Sequence, residues 1–160
     1  MSYERYEEIF GFHVVSDRIY ATDPCYNRDA KWSGAFPAKN GSWYACVMNN
    51  EEFIGELWIC HNDYELDAAA EAKEELGFVV GVNSGRAGFF DDEGFSKFGL
   101  TAPETCAEIH EHCYGVSVPV GPGNGVYKCF VNRVDGKVIA ARLDFVHGDE
   151  ATGPKLVVSA

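Results

Sequence analysis

The residues of this chain equipped to do chemistry fall into three groups. The first is a set of carboxylates, Asp23, Asp91, Asp92 and Asp144, each at what reads as the end of a strand. Two of them brought together, Asp23 with Asp91 or Asp92, could hold a divalent cation and activate a water for hydrolysis. Their spacing matches no known metal loop, and in an acidic chain such residues are ordinarily solvated turn positions. The second is the segment CAEIHEHC, in which Cys106, His110 and Cys113 stand at i, i+4 and i+7 and so share a helical face. Thiolate and imidazole suit zinc, but a structural zinc takes four ligands and no Cys-x-x-Cys pair supplies the remainder. The simpler reading buries Cys106, Ile109 and Cys113 as a stripe with His110 and His112 at its wet edge, so no metal is assigned. The third is Cys25, a loop thiol that would become a nucleophile if His13 or His147 came within reach. No nucleophile signature surrounds it. Gly121-Pro122-Gly123-Asn124-Gly125 is glycine-dense, yet a strand follows it instead of the helix N-terminus that a phosphate loop needs. No catalytic residue and no cofactor follow from these groups.

The elements that must position these residues are mostly strands. Phe78–Val82 and Ala87–Phe90 are apolar runs joined by a Ser84-Gly85 corner, which predicts a β-hairpin in the middle of a sheet. His13–Val15 and Arg18–Ala21, around Ser16-Asp17, predict an opening hairpin. Ser42–Met48 with Phe53–Cys60 predicts another, and Val126–Asn132 with Lys137–Phe145, through Asp135-Gly136, the clearest of all. Val116–Val120 contains Pro119, which suits an edge strand. Leu156–Val158 adds a closing run. Two helices are expected: Leu66–Leu76, rich in alanine and stopped by Gly77, and Pro103 to about Tyr114, opened by the Thr101/Glu104 capping spacing. Asn27–Gly41 is polar, broken by Gly and Pro, and reads as a long loop. The fold class is therefore mainly β (α+β). An antiparallel β-sandwich or a strongly curled sheet of nine to ten short strands with two helices is expected, as one domain over residues 1–160.

Polar groups left at the rims of such a sheet define the expected ligand-binding set: Asp23, Cys25, Trp32, Asn83, Ser84, Arg86 and Asp91. Between the Asn27–Gly41 loop and the Asn83–Arg86 corner, Arg86 would meet an anion and Trp32 a flat ring. Twenty-five acids against 13 bases give a net charge of −12, which argues against nucleic acid, since phosphate binding depends on Lys and Arg displacing counterions. A small-molecule ligand or a basic protein partner remains. No apolar run is long enough to cross a bilayer, and the acidic start MSYERYEEIF lacks the apolar core of a signal peptide, so a cytoplasmic protein is expected. Six cysteines would then be reduced, with Cys46, Cys60 and Cys129 inside apolar strands as core. The oligomeric state is not set by any of these features.

Three segments carry a family likeness: TDPCY at 22–26, GVNSGRAGFFDD at 81–92 and GNGVYKCFVNRVDGKVIAARLDF at 123–145. Together they resemble the bacterial family known as domain of unknown function 4241, over roughly the second half of the chain plus the Asp-Pro turn. That resemblance implies no activity. Asn83 and Asn124 stand where the family pattern has Asp; both amides suit turns with positive φ, and neither can serve as a general base. The function expected is thus non-catalytic recognition of a protein partner, of immunity or regulatory type, or of a small ligand. A metal-dependent hydrolase built on loop carboxylates is the alternative.

Overall fold

In the computed structural model, residues 6–24, 32–49, 54–93, 115–120 and 123–149 are described. They form ten strands: β1 (Tyr6–Val14), β2 (Arg18–Thr22), β3 (Gly34–Pro37), β4 (Gly41–Asn49), β5 (Ile54–His61), β6 (Glu74–Val82), β7 (Arg86–Asp91), β8 (Gly115–Pro119), β9 (Gly125–Val134) and β10 (Lys137–Asp149). A single helical turn, α1 (Asp67–Ala70), lies between β5 and β6. The strands make two antiparallel sheets, a six-stranded one in the order β1-β4-β5-β10-β9-β6 and a four-stranded one in the order β3-β2-β7-β8. The protein is mainly β, as its alternating apolar patterns require.

Facing side chains of the two sheets build one core, with Phe12, Ile19, Phe36, Trp43, Leu57, Phe89, Leu143 and Phe145 essentially without exposure. Burying that apolar area is the main term favouring the fold. A smaller apolar cluster, Trp58, Cys60 and Ile139, lies on the other face of the large sheet under Ala69 of α1. Along one flank the sheets are tied together. The Gly81 N–H donates to the Trp32 carbonyl at 2.8 Å, the Lys39 N–H to the Val138 carbonyl at 3.1 Å, and Phe78 covers Gly34. The opposite flank carries β1 of the large sheet and β8 of the small one.

Four expectations are corrected. The segment expected as a central hairpin is an arch: β6 is an edge strand of the large sheet, paired with β9, whereas β7 lies inside the small sheet between β2 and β8. The corner 83–85 therefore carries the chain from one sheet to the other. The expected opening hairpin is a second arch, with β1 on β4 and β2 on β3 and β7. Of the helix expected over Leu66–Leu76 only Asp67–Ala70 is helical; from Glu74 the backbone pairs with β9, Glu74 opposite Val131, and a ladder of tertiary bonds outweighs good local helix propensity. Within the expected Asn27–Gly41 loop, Gly34–Pro37 forms strand β3. The expected helix at 103–114, with Cys106, His110 and Cys113, and the expected strand at 156–158 lie outside the described residues.

Cys46, Cys60 and Cys129 are buried free thiols, and burial pushes Cys46 up to about 11 and moves Cys60 and Cys129 in the same direction. A thiol raised from its ordinary value near 9 holds its proton more tightly in the folded state. Stability from this source is complete below pH 9 and is lost as pH rises through the folded value. The slope is at most about 1.4 kcal/mol per pH unit for each thiol. Urea midpoints measured at pH 8 and pH 10 are expected to fall, and equal midpoints would contradict the burial. Iodoacetamide labelling mapped by peptide is expected to spare these three cysteines at pH 8.

Candidate functional site

The two carboxylates that headed the chemical candidates turn out to be the fasteners of the two arches. Asp23, just past β2 and with no exposure, points into the corner between β6 and β7. Its Oδ2 accepts the backbone N–H groups of Asn83 and Ser84, both at 2.7 Å, and its Oδ1 accepts the Ser84 hydroxyl at 2.6 Å. Asp91, at the end of β7 and equally buried, does the same for the corner between β1 and β2. Its Oδ1 accepts Val15 N–H at 2.9 Å, Ser16 N–H at 3.0 Å and the Ser16 hydroxyl at 2.8 Å. Each arch is thus closed by an aspartate at the end of the neighbouring strand of the small sheet. Left-handed backbone falls on Gly85 and Gly123, at φ 82° and 93°. Asn83 and Asn124 do not adopt positive φ, contrary to the turn role expected of them.

This arrangement keeps the acids apart. Asp91 is opposite Ile19, and Asp23 is four residues further along β2, which places the two roughly 13 Å apart along the ladder. One cation, whose oxygen ligands stand about 2–2.6 Å from it, cannot be shared across that gap. Asp92 lies at the Asp91 end and pairs with Arg18 at 3.6 Å. Among the described residues no group of three or more His, Cys, Asp and Glu is placed to hold a metal ion. His13 Nδ1 shares a hydrogen bond with the Ser42 hydroxyl at 3.0 Å; Cys25 and the side chain of His147 lie outside the described residues. Both nitrogens of the buried His61 are occupied, Nε2 by the Asn40 carbonyl at 2.9 Å and Nδ1 by the Asp63 N–H at 3.0 Å.

Of the expected ligand-binding set, Asp23, Asn83 and Ser84 converge at the β6–β7 corner, and Trp32 stands on the same flank through its carbonyl bond to Gly81. Asp91 is at the other end of the ladder. Arg86, the first residue of β7, goes elsewhere. It lines a cleft of about 350 Å³ on the β1/β8 flank, together with Ser117, Val118 and Pro119 of β8. The facing wall comes from the large sheet: Glu7 and Ile9 of β1, Val47 and Asn49 of β4, and Ile54 of β5. That volume lies at the small end of the range typical of small-molecule sites, about 300–1,000 Å³.

Arg86 is held in a defined pose. Its Nε donates to the Ser117 hydroxyl at 3.2 Å and its Nη2 to the Ser117 carbonyl at 2.9 Å, so Ser117 occupies one side of the guanidinium. Among the described residues, the end-on pair of donors, Nη1 and the second N–H of Nη2, meets no acceptor, and no carboxylate forms an ion pair with this arginine. Burial lowers the Arg86 pKa, and the charge of the more distant Asp23 acts the other way. The group nevertheless stays cationic, because guanidinium does not lose its proton in proteins. Ser117, almost fully buried, accepts from Arg86, and its own hydroxyl proton meets no acceptor among the described residues. A half-desolvated cation with two parallel N–H groups and a neighbouring unmatched O–H is a receptor for a planar anion, above all a carboxylate.

No protein-family model, no curated protein and no solved structure matches this chain. The resemblance of residues 81–92 and 123–145 therefore stays a likeness of motifs. Arg86 could be singled out in the sequence as a cation at the head of an apolar strand. The wall opposite it could not, because Glu7, Ile9, Val47 and Ile54 meet it only through sheet stacking. Among the described residues no helix is long and apolar enough to cross a membrane.

Proposed function

We propose that this protein is a non-catalytic binding domain for a small molecule that carries a carboxylate on an apolar body, held in the cleft between β1 and β8. The observation that supports it is Arg86, a half-buried cation seated by Ser117 with its end-on N–H pair meeting no acceptor among the described residues. Leaving such a charge partly desolvated without an anion is unfavourable in the empty protein, and a bound carboxylate relieves it with two charge-assisted hydrogen bonds. Ile9, Val47, Ile54 and Val118 supply the apolar wall that takes the rest of the ligand. No pair of groups in the cleft stands as nucleophile and base, so the reading is recognition without turnover. In this reading the protein works in the cytoplasm, unassisted by a cofactor, and its surplus of acids keeps it from nucleic acid.

The test is titration with N-acetyl-L-leucyl-L-leucine and with octanoate, followed by calorimetry and by backbone amide shifts. Binding is expected, with shifts gathered on β8 and the start of β7. Arg86→Gln is expected to weaken it at least tenfold while moving unfolding stability by no more than about 1 kcal/mol, since no ion pair among the described residues is lost. Undiminished binding by Arg86→Gln, or shifts confined to the β6–β7 corner, would overturn the assignment of this cleft. Silence of both carboxylates, with a basic protein captured instead, would favour the protein-partner reading.

A further inference from the structure

Glu7 breaks the pattern of the strand it belongs to. In β1 the inward positions are Ile9 and, after a bulge, Phe12 and Val14, all packed into the core. Side chains two apart on a strand share a face, so Glu7 stands on the same face as Ile9, and Glu8 takes the outer one. Its cross-strand partner, Val47, is itself a core residue. A carboxylate thus occupies a register position that alternation assigns to an apolar side chain, at the lip of the cleft that Arg86 also lines. The two opposite charges share this cleft and yet form no ion pair with each other, and among the described residues Glu7 has no cation partner. Ile9, Val47 and Val118 line the same cleft. Departures from a strand's own pattern without local compensation are characteristic of functional positions.

Resting on the carboxylate-binding reading above, we propose that the cleft is a zwitterion site of dipeptide size. Arg86 and the Ser117 hydroxyl take the ligand's carboxylate, Glu7 takes its ammonium, and the aliphatic wall of the cleft takes its side chains. Two opposite charges and an apolar wall in one cleft set the selectivity. A molecule with only the anion satisfies Arg86 but leaves Glu7 facing an uncharged group, and a molecule with only the cation leaves Arg86 as it was. A zwitterion with its charges on one carbon spans the wall poorly, so a short apolar peptide is favoured over a free amino acid.

Three probes of one shape separate the possibilities: L-leucyl-L-leucine, its N-acetyl derivative and its C-terminal amide. The free dipeptide is expected to bind at least tenfold more tightly than either blocked form. Glu7→Gln is expected to remove its advantage over the N-acetyl form without weakening the latter. Glu7→Lys, at the same exposed lip, is expected to reverse the order. Equal affinity for the free and N-acetyl dipeptides would overturn the zwitterion proposal and leave the carboxylate site standing; no binding by either would remove both. An inward charge on an edge strand can also serve to block strand-to-strand association. Should Glu7→Gln self-associate in sedimentation while keeping the wild-type order of probe affinities, Glu7 guards the edge and the proposal fails.

Discussion

Asp23→Ala is expected to lower unfolding stability by about 3–4 kcal/mol, far more than a typical substitution at a polar position. The carboxylate has no exposure, and its two oxygens accept two backbone N–H groups and one hydroxyl. Hydrogen bonds to a charged acceptor contribute about 1.5–3 kcal/mol each, and removing the acceptor leaves donors unpaired at a partly buried corner. Water can reach the Ser84 side of that corner, which keeps the total below the simple sum. Asp23→Asn should be milder, about 1–2 kcal/mol, because an amide oxygen still accepts while its NH₂ faces donors. The urea midpoint should move at constant slope. Asp91→Ala should behave alike at the opposite arch, and the two losses should add, since the sites are some 13 Å apart. A loss under about 1 kcal/mol for Asp23→Ala would mean that water closes the arch as well as the carboxylate does.

Why the arches escaped the sequence follows from the same residues. A Gly-bearing corner between two apolar runs has one local signature, whether the runs pair with each other or part into two sheets. What parts them at residues 83–85 is an acid 60 positions earlier, and at Val15–Ser16 an acid 75 positions or more later. No window of sequence contains both halves of that information. Where the deciding contacts are local, the reading agreed with the structure. Asp135 and Gly136, at φ 53° and 83°, turn β9 into β10 as an Asp-Gly hairpin does, and Pro119 marks β8 as an edge. The site divides in the same way. Arg86 was legible as a cation at a strand end, but its seat on Ser117 and the wall around Glu7 are products of cross-strand and cross-sheet register.

Gly88→Ala carries the other large effect, a loss of at least about 4 kcal/mol or failure to fold. Gly88 lies opposite Ser117 in the ladder between β7 and β8. A β-carbon there would run into the Val116 carbonyl oxygen and stand 2.7 Å from the Ser117 α-carbon, both backbone atoms that cannot rotate away. The only relief is to lever β8 off β7, which breaks ladder bonds and opens the small sheet at its edge. Gly77→Ala is the matched control. It is also a strand glycine, its β-carbon would meet nothing within 4 Å, and no positive φ needs protecting. It should be neutral or stabilising by about 0.5 kcal/mol, through the unfolded chain alone. The contrast reaches the site as well. Ser117 is both the residue that Gly88 admits and the seat of Arg86, so any folded fraction of Gly88→Ala should lose carboxylate binding while keeping an intact arginine. Measured on the folded fraction by amide shifts, retained binding would show that Arg86 finds its pose without β8. The pre-organisation argued for the cleft would then be wrong even with its occupant correctly named.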